Sequence, residues 1–106
     1  MKRHVLVQLL LPTLDGKGMK VPLSKLRSLA RELSDRFGGV TSYLRAPAEG
    51  LWQPHDDAPA EKDDIVIFEV MTEDLDQAFW RSLRARLQAD LAQSEIIIRA
   101  QPVDIL

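Results

Sequence analysis

The chain has 106 residues, no cysteine, and 14 Lys and Arg against 16 Asp and Glu, a formal net charge of −2. A chain of this length forms one domain, the absence of cysteine excludes disulfides and thiol nucleophiles, and the charge balance offers no broad basic surface for nucleic acid. No apolar run approaches the ~20 residues of a membrane span. We therefore expect a cytoplasmic protein whose partners do not include nucleic acid or membrane.

The first half of the chain predicts a strand, a helix and a second strand. Residues 5–11 are apolar enough for a strand covered on both faces, and Pro12 ends it because proline has no N–H to donate. A helix is predicted over residues 22–37, with Pro22 in its first turn and Gly38 at its left-handed end. Its apolar stripe consists of Leu23, Leu26, Ala30, Leu33 and Phe37. The second strand is predicted at residues 40–46.

The second half repeats the same order of elements. A strand is predicted at residues 64–71, and Thr72 is the expected cap of the next helix, followed by the acidic residues Glu73 and Asp74. The apolar stripe of this helix consists of Leu75, Phe79, Leu83, Leu87 and Leu91, and it widens toward Trp80. A last strand is predicted at residues 95–101, ended by Pro102. Residues 47–63, rich in proline and acidic residues, are predicted to form an exposed loop.

This order predicts an α+β protein with a ferredoxin-like βαββαβ sandwich as its single domain, residues 1–106. Right-handed crossovers lead to an antiparallel sheet in the order 4-1-3-2, with both helices on one face. Two helices cover only one side of such a sheet. The composition of the other side therefore matters for function.

Strand alternation divides the strand residues into two sets. The first is almost wholly apolar, and we expect it under the helices, with Phe68 at its centre. We name the second set the open face: His4, Leu6, Gln8, Leu10, Thr41, Tyr43, Arg45, Ile65, Ile67, Glu69, Met71, Ile97 and Arg99. Because seven of these thirteen residues are Leu, Ile, Met or Tyr, a monomer exposing them would present an unusually large apolar patch.

Face-to-face dimerisation would cover that patch, with Ile67 near the centre of the interface. In the segments RFGGVTSYLR, GLWQ, DDIVIFEVM and QSEIIIRA, the chain resembles dimeric α/β-barrel proteins of ferredoxin-like fold, and more narrowly a group of small uncharacterised bacterial proteins of that build. The resemblance implies a homodimer. It supplies no reaction.

The antiparallel order predicts a polar row across the open face, formed by Arg99, His4 or Leu6, Glu69 and Thr41. Such a row can bind a polar ligand or transfer protons, since burial and neighbouring charges shift pKa values. The alternative is that Glu69 and Arg99 form a buried ion pair that sets the register of the dimer. His4 has a second interpretation as a hydrated residue of a frayed terminus.

Two further candidates lie outside the strands. Trp52 is the one large aromatic residue of the loop, and it either covers a ligand pocket or packs on the partner subunit or the sheet edge. His55, Asp56 and Asp57 are adjacent and have no second ligand cluster, so they are interpreted as a solvated acidic loop rather than a metal site. We expect no metal and no cofactor.

These observations support two functional hypotheses. The first is a homodimer that serves assembly and binds a small molecule, with His4, Tyr43, Trp52, Glu69 and Arg99 as candidate ligand-binding residues. The alternative is a cofactor-independent dimeric-barrel enzyme, an oxygenase or isomerase that acts on a small hydrophobic compound. An enclosed cavity lined by these polar side chains favours the binder or the enzyme, whereas a solidly packed barrel favours assembly.

Overall fold

A computed structural model describes residues 2–45 and 65–106, and for residues 43–45 it describes the backbone alone. The elements, in chain order, are β1 (Lys2–Pro12), α1 (Leu23–Phe37), β2 (Thr41–Arg45), β3 (Ile65–Thr72), α2 (Gln77–Asp90) and β4 (Ile97–Ile105). Neither helix in these ranges is long and apolar enough to cross a membrane.

The strands form one antiparallel sheet in the order β2-β3-β1-β4, which is the predicted order read from the other end. The two helices pack on one face, where β1, β3 and both helices contribute to one buried core. The predicted α+β, ferredoxin-like fold is therefore confirmed.

The core lies where strand alternation predicts it. Val7 and Leu9 of β1 are buried beside Phe68 of β3, against Leu33 of α1 and Leu83 of α2. Burying side chains of this size stabilises the fold by about 1.5–3 kcal/mol each. Phe68 belongs to this core, which confirms the predicted facing of β3.

Helix α1 ends as its sequence predicts, and four of the five residues of its predicted stripe pack on the core. Pro22 precedes its first turn, and Gly38 closes it with a φ of 80° and an N–H that donates to the Ser34 carbonyl at 2.8 Å. Leu29, outside the predicted stripe, is also buried. The prediction for Leu23 is wrong, since Leu23 is 58% exposed and Val21, just before the helix, is buried in the core at this end.

Helix α2 begins later than predicted. Thr72 is the last residue of β3, paired with Val5, and its hydroxyl donates to the Asp74 carbonyl at 2.9 Å. Asp76 is the actual cap, and its carboxylate accepts from the Phe79 N–H at 3.1 Å. Thr72 and Asp76 are both suitable cap residues. Because Thr72 pairs with Val5 and so continues β3, the helix begins after Asp76 instead.

Strand β4 does not end at Pro102 but continues to Ile105, and β1 correspondingly begins at Lys2. Pro102 lies opposite Val5. Proline is tolerated there because β4 is hydrogen-bonded to a strand on one side only among the described elements. The longer β4 adds Val103 and Ile105 to the open face.

The connection from β1 to α1 is anchored to the end of α2. Asp15 organises this loop, because its Oδ1 accepts from the N–H groups of Lys17 and Met19 at 2.8 and 2.9 Å. The Gly16 N–H donates to the Leu91 carbonyl at 2.9 Å. A Cβ on Gly16 would overlap the carbonyl group of Ala92. Only glycine fits this approach of two backbones.

We predict that Gly16→Ala lowers the free energy of unfolding by about 1–3 kcal/mol, the usual cost of forcing extra volume into a packed contact. Gly39→Ala is the matched control, because a Cβ there meets no atom within 4 Å. Its effect should stay within about 0.5 kcal/mol. Urea unfolding followed by circular dichroism measures both. Equal losses in the two variants would contradict the packing of Gly16 against α2.

Candidate binding site on the open sheet face

The strand register arranges the open face in rows that run across the sheet. Gln8 of β1 lies opposite Glu69 of β3 on one side and opposite Arg99 of β4 on the other. Thr41 of β2 lies opposite Glu69 and completes this row. We call these four residues the polar row.

Hydrogen bonds connect three members of the polar row. The Gln8 side-chain amide donates from Nε2 to Glu69 Oε2 at 2.7 Å. Arg99 donates from Nε to Gln8 Oε1 at 2.8 Å. Bonds to charged partners are about twice as strong as bonds between neutral groups. The single amide of Gln8 therefore fixes an acid and a base on either side of it.

The predicted direct ion pair of Glu69 and Arg99 is therefore replaced by a bridged arrangement. Each charged group keeps capacity that Gln8 does not use: Glu69 has its second carboxylate oxygen, and Arg99 has its terminal guanidinium nitrogens. These atoms make no hydrogen bond with another described residue. The polar row thus offers an acceptor and a charged donor to an incoming molecule.

Apolar residues flank the polar row on both sides. Leu6 lies between Met71 and Gln101 in the register, and Leu10 lies between Ile67 and Ile97. Met71 and Ile97 are each 48% exposed, while Leu6 and Leu10 are half-buried. A polar strip with apolar borders suits a ligand that combines hydrogen-bonding atoms with an apolar body.

Ile67 departs from the expectation of a fully uncovered face. It is only 1% exposed within a single chain, although it does not belong to the core under the helices. A partner subunit is therefore not required to bury it. The exposed large apolar residues of the described open face are Met71, Ile97 and Ile105.

His4 does not join the polar row. It lies opposite Val103, and Leu6 separates it from Gln8 along β1. It is half-buried in a paired strand, so the interpretation as a frayed terminus is also wrong. Its Nδ1 is buried and has no hydrogen-bond partner among the described residues.

The structure describes the remaining candidate binding residues only in part. The backbone of Tyr43 pairs with Ile67, one row away from the polar row. Trp52 and the segment His55–Asp57 lie outside the described residues. Within the two described ranges, no three His, Asp or Glu side chains cluster as metal ligands.

Gln8 is the member of the polar row that the sequence does not single out. Strand alternation places it on the open face, but its position opposite both Glu69 and Arg99 depends on the register of each strand pair. The sequence contains one indication of this position, because Gln8 is the only polar residue within the apolar run from Val5 to Leu11. A polar side chain in such a run indicates a partner across the sheet.

Comparison with known proteins supports the fold. The sequence matches no family model and no curated protein. Among solved structures it is similar to a phage SAM lyase in complex with S-methyl-5′-thioadenosine, with a TM-score of 0.59 and 11% sequence identity. The match covers 92% of this chain and 80% of the lyase chain. At this identity the similarity shows a common fold and nothing about activity.

We predict that Gln8→Glu destabilises the protein more than Gln8→Ala at neutral pH. The glutamate loses the amide donor and places a second carboxylate beside Glu69, whereas alanine only removes the bridge, at a cost of about 1 kcal/mol. The excess loss should shrink with added salt, which screens the repulsion. Denaturant unfolding at several salt concentrations measures this difference.

Gln101→Glu is the control for charge, because Gln101 lies on the same face opposite Leu6 and makes no hydrogen bond with Glu69. It should change stability by no more than about 0.5 kcal/mol. If Gln8→Glu and Gln101→Glu behave alike, the bridge contributes nothing to stability.

Proposed function

We propose that this chain forms a homodimer through its open face and binds a small molecule at the polar row. The observation that carries the proposal is the hydrogen-bonded series Arg99, Gln8 and Glu69, whose free charged atoms lie between apolar rows. The bridge through Gln8 leaves these atoms available to form hydrogen bonds with a ligand.

The apolar part of the open face supports association. Exposed Met71 and Ile97 lie on either side of the polar row, on different strands, and half-buried Leu6 and Leu10 lie between those strands. Removing such side chains from water contributes about 25 cal/mol per Å² of apolar surface. A second copy offers the same residues in a self-complementary arrangement, which a two-fold dimer requires.

The polar row defines the chemistry of the ligand. Glu69 accepts a hydrogen bond through its free oxygen, and Arg99 donates from its terminal nitrogens. The matching compound therefore carries a donor group for Glu69 and an acceptor group for Arg99, with an apolar portion against Met71 or Ile97. Enclosure by a second subunit strengthens these polar contacts, because the local dielectric falls.

The alternative of a cofactor-independent enzyme uses the same location. It requires a group that exchanges a proton with a substrate, and Glu69 is the nearest candidate. Gln8 donates directly to the Glu69 carboxylate, an arrangement that fixes the orientation of the carboxylate for recognition. We therefore propose binding as the function and treat catalysis as the second hypothesis.

The dimer is tested by mass in solution. Sedimentation of the wild type at micromolar concentration should give about twice the chain mass of 12.0 kDa. Ile97→Asp should shift the protein toward monomer, since a carboxylate in an apolar interface is costly to bury. Leu23→Asp, which places the same charge at an exposed position on α1, should remain dimeric. A monomeric wild type contradicts the dimer.

Ligand binding is tested by thermal shift with a panel of metabolites. S-methyl-5′-thioadenosine belongs in this panel because the structural neighbour binds it. A compound at 100 times its dissociation constant should add about 2.7 kcal/mol of stability. Glu69→Gln and Arg99→Gln should reduce this gain, whereas Arg27→Gln, which removes a charge from an exposed position on α1, should keep it. If no compound in the panel stabilises the protein, the open face serves assembly alone.

A further inference from the structure

A groove lies on the helix side of the sheet, between α2 and β4. Its volume is about 200 Å³. Val7, Ile98, Arg99 and Ala100 form its sheet side, and Trp80 and the segment around Gln77 form its helix side. The Arg99 side chain donates to Gln8 in the polar row, so the groove shares this residue with the open face, but its other lining residues lie on the helix side of the sheet.

The groove is positively charged. Arg81 and Arg84 of α2 both line it, three positions apart on the helix, which brings neighbouring side chains to one face. Arg84 makes no hydrogen bond or ion pair with another described residue, and Arg81 has only the Gln77 side-chain carbonyl at 3.2 Å. No acidic residue is among the described residues that line the groove. In a chain of net charge −2, two uncompensated guanidinium groups here complement an anion.

Trp80 gives the groove a second recognition element. Its side chain is held by Phe37, which stacks on it at a centroid distance of 5.1 Å, and by Phe79 edge-on at 4.9 Å. The residue is only 5% exposed, yet its indole Nε1 has no hydrogen-bond partner among the described residues. A buried N–H without an acceptor costs free energy. Because Nε1 has no exposed surface, an acceptor atom in the groove recovers this cost once the ring or a neighbouring side chain moves to uncover it.

We propose that this groove binds a small organic anion. A carboxylate or phosphate group contacts Arg81 and Arg84, and guanidinium groups suit both because their fork of donors matches these oxygens. An apolar group lies against Trp80 and Ile98. The volume is below the roughly 300 Å³ at which drug-sized pockets begin, which limits the ligand to about one ring or a short chain.

The probes for this proposal are phenyl phosphate, benzoate and the uncharged benzyl alcohol. In ¹⁵N-resolved NMR titrations, phenyl phosphate or benzoate should shift the indole N–H resonance of Trp80, which Trp80→Phe identifies by its loss. The two anions distinguish phosphate from carboxylate recognition. Benzyl alcohol should bind more weakly than either, and added salt should weaken the binding of the anions.

Arg84→Gln should lower the affinity for the preferred anion about tenfold or more, because it removes a charged hydrogen bond. Arg27→Gln removes the same charge from an exposed position on α1 and should leave the affinity unchanged. Trp80→Phe keeps an aromatic ring at this position and should lower the affinity by about two- to tenfold, measured through the backbone amide resonances of the groove residues because the indole signal is lost.

Three results would overturn the proposal. The first is that neither anion shifts the Trp80 resonance. The second is that benzyl alcohol binds as tightly as the anions. The third is that Arg84→Gln and Arg27→Gln weaken binding equally. None of these results depends on whether the open face forms a dimer or binds a ligand.

Discussion

The register of β1 against its two neighbours is the constraint on which the rest of the molecule depends. β1 pairs with β3 at eight positions and with β4 at nine. A slip by one residue would exchange the faces of every side chain. Leu9, now buried, would then enter the open face, and Gln8 would enter a core where an unpaired amide is costly. The apolar core and the polar row therefore stabilise the same register.

Sequence periodicity predicted the elements and their order because it reflects local physics. The alternation of β3 placed Phe68 in the core, and Gly38 marked the end of α1 by its freedom to adopt a left-handed backbone. The preference for right-handed crossover connections then predicted a single order of the four strands, which the sheet has. Both charged members of the polar row, Glu69 and Arg99, were assigned correctly to one face.

The remaining details depend on pairing between distant segments, which no local pattern contains. The cap of α2 moved from Thr72 to Asp76 because β1 supplies a strand partner for Thr72. His4 was expected near Glu69, but the offset between β1 and β3 gives that place to Gln8. The burial of Ile67 within a single chain is likewise invisible in a pattern that records only which way a side chain points.

The two edge strands of the described sheet, β2 and β4, differ from its central strands in how readily they could pair with a further strand. Exposed strand edges invite addition of further strands, which leads to open-ended aggregation. β4 carries Pro102, which has no N–H for such a strand, and the described part of β2 has five residues. Short strands and proline are two ways in which proteins block edge pairing. At these described edges, growth into filaments is opposed, so the dimer that we propose would use the open face rather than an edge.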